Sequence, residues 1–270
     1  MTGWASRNSV LPSGFAAYAR IFHPGVRYWW EGPVNRPGST RTSQQSIRWS
    51  EVAALTGSKA HPWMQWGGIA GVQMEEADLG DGTSVEAPED GRMPEDVLEA
   101  LLPLLSTATA TPDDVTAAVW TGWGALRSVS FFTLSDSGRS TSGTRSGAEL
   151  GVSAEVTRAL DEGPLLQLPG REYLLLAGAL TDLACPDWTS EAGLGEGSGG
   201  GIAAPQLLWP ADSAWCLATE IDFGFTLLGG PVSLVEQVLA TPGLEAMPLD
   251  HDGALHWGGD TVNPKARDRT

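Results

Sequence analysis

APQLLWPADSAWCLATEIDFGFTLLGG, residues 204–230, is the stretch on which the reading of the whole chain turns. Leu207, Leu208 and Trp209 form an apolar run that stops at Pro210, and Pro210-Ala211-Asp212-Ser213 supplies turn chemistry. From Trp215 to Thr226 aromatic and β-favouring residues dominate, which suits a pleated, half-buried strand. The pattern predicts a strand, a tight turn and a second, long strand that stops at Gly229-Gly230. Side chains alternate along a strand, so Glu220 and Asp222 are expected on one face, with Thr219, Ile221 and Phe223 on the other.

Working outward, the piece Ala16 to Pro24 reads as a short strand ended by Pro24-Gly25, and Trp29 and Trp30 precede an aperiodic loop, 32–43. Ser46 to Leu55 has helical spacing, with Trp49, Val52 and Ala53 on one side and Gly57 as the stop. Pro94 opens a second helix, Glu95 to Leu105, with Val97, Leu98, Leu101, Leu102 and Leu105 as its apolar stripe. Thr111-Pro112 reads as a further helix start. Strands are expected at Val115–Trp120, Ser128–Leu134 and Arg171–Leu180, and helices at Ser153–Leu160 and Pro231–Ala240. Strands cluster without regular β-α alternation. The expected fold is therefore α+β, a mainly antiparallel sheet with flanking helices and several Gly/Ser-rich loops. One domain over residues 1–270 is expected, with mobile segments at 32–45, 75–92, 135–147, 191–201 and 258–270.

The chain has 33 acidic against 16 basic residues, a net charge of −17, which opposes binding to nucleic acid or to an anionic membrane. The first fifty residues run against that trend, with Arg7, Arg20, Arg27, Arg36, Arg41 and Arg48, whereas Glu75 to Glu99 is strongly acidic. Scattered surface charge is the ordinary reading of such runs; the alternatives are that the two regions attract each other or that the basic arm meets a separate acidic partner. The two cysteines, Cys185 and Cys216, match neither zinc spacing nor a disulfide framework. With no signal-peptide pattern and no run of about 20 apolar residues, a cytoplasmic setting is expected, with no membrane association. Twelve tryptophans against three tyrosines mark the composition, and the indole suits both core filling and partner binding.

Four places carry a resemblance. They are Pro12-Ser13-Gly14-Phe15 with Tyr18 to Pro24; Trp120-Thr121-Gly122-Trp123-Gly124; Leu168 to Tyr173; and Trp209 to Asp212 with Glu220 to Asp222 and Gly229-Gly230. On these the chain resembles a family of uncharacterised proteins of high-GC actinobacteria. The resemblance implies a shared fold and brings no activity with it.

For chemistry, Glu220 and Asp222 are candidates either to bind a cation or to act as an acid/base pair, with Arg171 and Arg20 from other strands to offset their repulsion and Arg171 and His23 completing the candidate catalytic set. Trp123, Trp209, Trp215, Arg20 and Tyr18 are the candidate ligand-binding residues. His251 and His256 with Asp250, Asp252 and Asp260 form only a loose cluster, no H-x-x-x-H or H-E-x-x-H spacing occurs, and no metal site is assigned. There is no G-x-S-x-G, and the glycines of 195–200 lack the ending of a phosphate loop. No cofactor is named by these residues. The leading expectation is an acidic, tryptophan-rich protein that binds a protein partner and not nucleic acid. A hydrolase built on Glu220, Asp222, Arg171 and His23 competes with it. So does an immunity-like protein that neutralises a basic partner.

Overall fold

The computed structural model describes residues 10–72, 76–134, 140–185, 187–195, 204–249, 253–256 and 258–263. It opens with strands β1 (Ala17–Phe22), β2 (Gly25–Glu31) and β3 (Thr40–Ile47) and helices α1 (Trp49–Thr56) and α2 (Trp66–Ala70). Strands β4 (Ala77–Asp78) and β5 (Thr83–Glu86), helix α3 (Glu95–Thr107), strand β6 (Val115–Trp120) and the single turn α4 (Gly124–Arg127) follow. Then come β7 (Ser128–Leu134), β8 (Ser140–Ser146), α5 (Ala154–Glu162), β9 (Leu166–Leu168), β10 (Arg171–Gly178) and α6 (Trp188–Glu191). The chain continues through β11 (Pro205–Pro210), β12 (Cys216–Ala218), β13 (Phe225–Gly230), α7 (Val232–Ala240) and β14 (Glu245–Pro248). The fold is α+β with antiparallel strand pairing, as the sequence predicts. Its contacts separate two compact units, residues 1–108 with 214–270, and residues 109–213.

In the first unit β1 lies between β13 and β14, and β12 pairs on the far side of β13. All six residues of β13 are buried, which explains its nearly continuous apolar sequence. The strand ends at Gly229-Gly230, as expected, with both glycines as its last two residues. A Cβ on Gly229 would come within 2.4 Å of the Phe15 ring, so only glycine lets that ring lie against the sheet. Helices α3 and α7 are in contact, and Leu101, Leu105, Leu234 and Val238 on them are all at most 1% exposed. Leu239, on the expected inner face of α7, is 36% exposed instead.

The same unit holds a second sheet, ordered β3-β2-β5-β4. Stretches 32–45 and 75–92, expected to be irregular, thus contribute most of β3 and all of β4 and β5. The basic and acidic regions do meet here: Arg27 pairs with Asp81 at 2.8 Å and Arg41 with Glu76 at 2.7 Å.

The expected long strand over 215–226 is not formed. Residues 219–224 turn the chain between β12 and β13, closed by Phe223 N donating to the Glu220 carbonyl at 3.0 Å. A loop over residues 88–91 occupies the outside of that turn. A Cβ on Gly224 would meet Pro88 Cγ at 2.5 Å, and Gly91 N donates to the Phe223 carbonyl at 3.0 Å.

In the second unit the sheet order is β11-β6-β10-β9. A core of Val119, Leu126, Val152, Val156, Leu160, Leu174 and Leu194 lies against it. Helix α5 starts at Ser153, whose Oγ accepts from Val156 N at 3.1 Å. No helix starts at Thr111. Its neighbourhood is a turn into β6, held by Asp212, which accepts from Thr109 Oγ1 and Ala110 N, both at 2.8 Å. Strands β7 and β8 form a separate hairpin. The expected mobile segment 135–147 includes β8, and residues 135–139 lie outside the described residues.

Candidate functional site

Arg20 and His23 stand at the end of β1, the strand that runs through the middle of the first unit's core. Both are fully buried. The Arg20 Nη1 donates to the carbonyls of Pro62 and Met64, at 2.9 and 2.8 Å. Its guanidinium carbon lies 3.7 Å from the centre of the Phe225 ring and 4.6 Å from that of Phe22, so two aromatic faces take the place of a counter-ion. Its Nε and Nη2 have no hydrogen-bond partner. Burial pushes its pKa down to about 9, against the longer-range pull of Asp260, and Arg20 stays charged at neutral pH.

The His23 Nε2 lies 2.8 Å from Thr226 Oγ1, which lies 2.7 Å from Thr219 Oγ1. Burial, and then the Arg20 charge, push the His23 pKa down to about 3, so the imidazole is neutral at pH 7. A neutral, sealed imidazole in a hydroxyl chain ties the end of β1 to the start of β13.

The remaining expected site residues are dispersed. Glu220 is 8% exposed and its Oε1 accepts from Ile221 N, whereas Asp222 is exposed on the turn. The two carboxylates do not share a strand face, because the backbone reverses through them. Arg171 belongs to the second unit, where its guanidinium lies 5.6 Å from the Trp120 ring. Trp215 is fully buried and donates from Nε1 to the Leu105 carbonyl at 3.0 Å. Tyr18 is 9% exposed, and its hydroxyl donates to the Pro12 carbonyl and accepts from Phe15 N. Trp215 and Tyr18 therefore pin structure.

Trp123 and Trp209 are half-buried. The Trp123 Nε1 donates to Gln206 Oε1, which also accepts from Trp120 N. Of the loose acidic and histidine cluster, Asp250, His251 and Asp252 lie outside the described residues. Asp260 bonds not to His256 but to His61, at 3.1 Å. Burial raises the Asp260 pKa, but hydrogen bonds from Asn263 and Val262 outweigh that and hold it below the usual carboxylate range. Among the described residues, no group of three or more His, Cys, Asp or Glu is placed to hold a metal ion.

The surface that sequence reasoning passed over is the second sheet of the first unit. On β2, Trp29 and Trp30 are half-buried. Arg41 reaches back from β3 over Tyr28, at 3.8 Å from its ring centre, to Glu76. The Trp30 Nε1 donates to Ser84 Oγ at 2.7 Å, and Ser84 in turn donates to Glu76. Beside this face lies a cleft of about 860 Å3, walled by Asn35, Arg36, Gly71, Glu76 and Asp78. Strand β3 closes the sheet edge, and its first seven residues, Thr40 to Ser46, are all exposed. Successive residues point to opposite faces, so neither face of the sheet is covered at this edge. The Tyr28/Trp30 alternation on β2 was the available signal. Strand β3 gives none, since a strand polar on both faces shows no hydrophobic period.

Comparison with protein-family models, with curated proteins and with solved structures gives no match for this chain.

Proposed function

We propose that this chain is a binding protein that engages a protein partner through the second sheet of its first unit, at the β3 edge backed by Trp29 and Trp30. The observation that carries this reading is that every residue from Thr40 to Ser46, on a terminal strand, is exposed. Edge strands are ordinarily blunted by lysine, proline or a cover, because their free N–H and C=O groups template pairing with another chain. Strand β3 has neither lysine nor proline, and its one arginine is drawn back onto Glu76. Trp29 and Trp30, on the neighbouring strand, are half-buried, a placement that suits contact with a partner. The acidic surplus of the chain favours a partner of opposite sign. The Glu220/Asp222 hydrolase reading gains no support from a sealed imidazole and two carboxylates in different environments.

Affinity capture with the wild type and with a Trp29→Ala/Ser43→Lys variant, compared side by side, tests the proposal. The wild type is expected to retain a stoichiometric partner that the folded variant loses at least tenfold. Equal recovery of that partner by both proteins, or a reproducible turnover with no stoichiometric partner, would overturn it.

A further inference from the structure

The second unit carries a smaller cleft, of about 320 Å3, within the range of small-ligand sites. Its floor is a patch of the β6–β10 ladder. Ala117 pairs with Leu176 and Val115 with Gly178, and each strand supplies residues two apart, hence on one face. The hollow comes from small residues: Ala117, Gly178, Ala179 and Ala192 all line it. A Cβ on Gly178 would lie 3.1 Å from Asp182 Oδ2, so glycine there lets the Asp182 carboxylate approach the sheet. That carboxylate is fixed in place by Ala179 N, which donates to it at 2.8 Å.

The lining contains two charged side chains, Asp182 and Glu191, both acidic, together with the half-buried indole of Trp188. Among the described residues, no lysine, arginine or histidine lines it. An apolar floor, an indole wall and two carboxylates make a defined chemical environment. Anions are repelled. A hard divalent cation needs six or more oxygen ligands, and the other side chains of this lining are apolar. An organic cation on an apolar stem suits this lining: the stem covers Val115, Ala117 and Leu176, and the charge meets the carboxylates of Asp182 and Glu191 beside Trp188.

We propose that this cleft is a binding site for a primary alkylammonium group on a short aliphatic stem. It lies apart in sequence from the β3 edge and does not depend on the function proposed there. Such a group is carried both by small free amines and by the lysine side chain. Titration calorimetry of the whole chain, with Trp188 indole NMR as a second readout, distinguishes the two sources. The probes are n-butylammonium, Nα-acetyl-lysine N-methylamide and, as a neutral control, n-pentanol.

Both cations are expected to bind, and n-pentanol at least tenfold more weakly. Stronger binding of n-butylammonium assigns a free amine, and stronger binding of the lysine amide assigns a peptide side chain. Asp182→Asn/Glu191→Gln, two changes at exposed positions, is expected to weaken cation binding at least tenfold. Ala117→Leu, which fills the floor, is expected to abolish it. The proposal fails if neither cation binds the wild type, if the carboxamide pair leaves their affinity unchanged, or if n-pentanol binds as well as they do.

Discussion

Arg20 shows how far a single side chain can depart from what its residue type suggests. An arginine at an alternating strand position reads as a surface or ligand-facing group, yet this one is enclosed by Phe22, Phe225 and two carbonyls. A buried cation without a carboxylate in contact is poorly solvated, and a well-packed apolar residue of similar length can match its stability. Arg20→Met keeps the packing but leaves the Pro62 and Met64 carbonyls without their donor, so it is expected to lose about 1–3 kcal/mol. Arg20→Ala, which opens a cavity and strands two carbonyls, is expected to lose about 3–5 kcal/mol. Chemical denaturation measures both, and equal losses in the two variants would mean that the charge itself stabilises the core. Trp215 follows the same logic: sequence marks an aromatic residue, and only packing shows that its indole is spent on the Leu105 carbonyl inside.

At the scale of elements, the turn at 219–224 corrects the sequence reading most directly. Thr-Glu-Ile-Asp-Phe-Gly-Phe alternates well enough to extend a strand, and nothing local forbids it. The loop at 88–91, more than a hundred residues away, decides the matter. Gly91, at φ +75°, sits where a Cβ would lie 2.8 Å from Ile221 Cα, and Asp90 is brought near Asp222. Desolvation, then Asp222, then Glu89 raise the Asp90 pKa from 3.8 to about 6. A carboxyl whose folded pKa is raised stabilises the fold in its protonated form, so this contribution is present below pH 3.8 and is lost as pH rises through about 6. Asp222→Asn removes one of the repelling charges. The Asp90 midpoint, followed by its side-chain carboxyl carbon resonance, is expected to fall in that variant, and an unchanged midpoint would remove Asp222 as a cause. Elements with strong local signals were legible: α3, α5 and α7, with their apolar spacing and proline or serine starts, and β6 and β10. Strand β3 was not, because Thr-Arg-Thr-Ser-Gln-Gln-Ser has no apolar side chain to reveal a period.

For the molecule as a whole, a charge of −17 sets a field that no single pair cancels. At about 0.01 M salt the screening length is roughly 30 Å, comparable to a domain, and at 0.15 M it is about 8 Å. Thermal unfolding is therefore expected to shift upward by roughly 2–4 °C between those conditions, the equivalent of about 1 kcal/mol for a chain of this size class. Scanning calorimetry across that range checks it, and a fall in melting temperature would show that attractive pairs such as Arg41–Glu76 outweigh the net repulsion. By itself the sequence determined the α+β class, most of the helices, the central strands and the acidic character, because each follows from local periodicity, capping residues or composition. Only the tertiary structure decided that Arg20 and His23 are sealed, that Glu220 and Asp222 lie on a turn, and that a polar strand forms the open edge of a second sheet. Burial and register arise from contacts between residues far apart in the chain, and no local pattern encodes them.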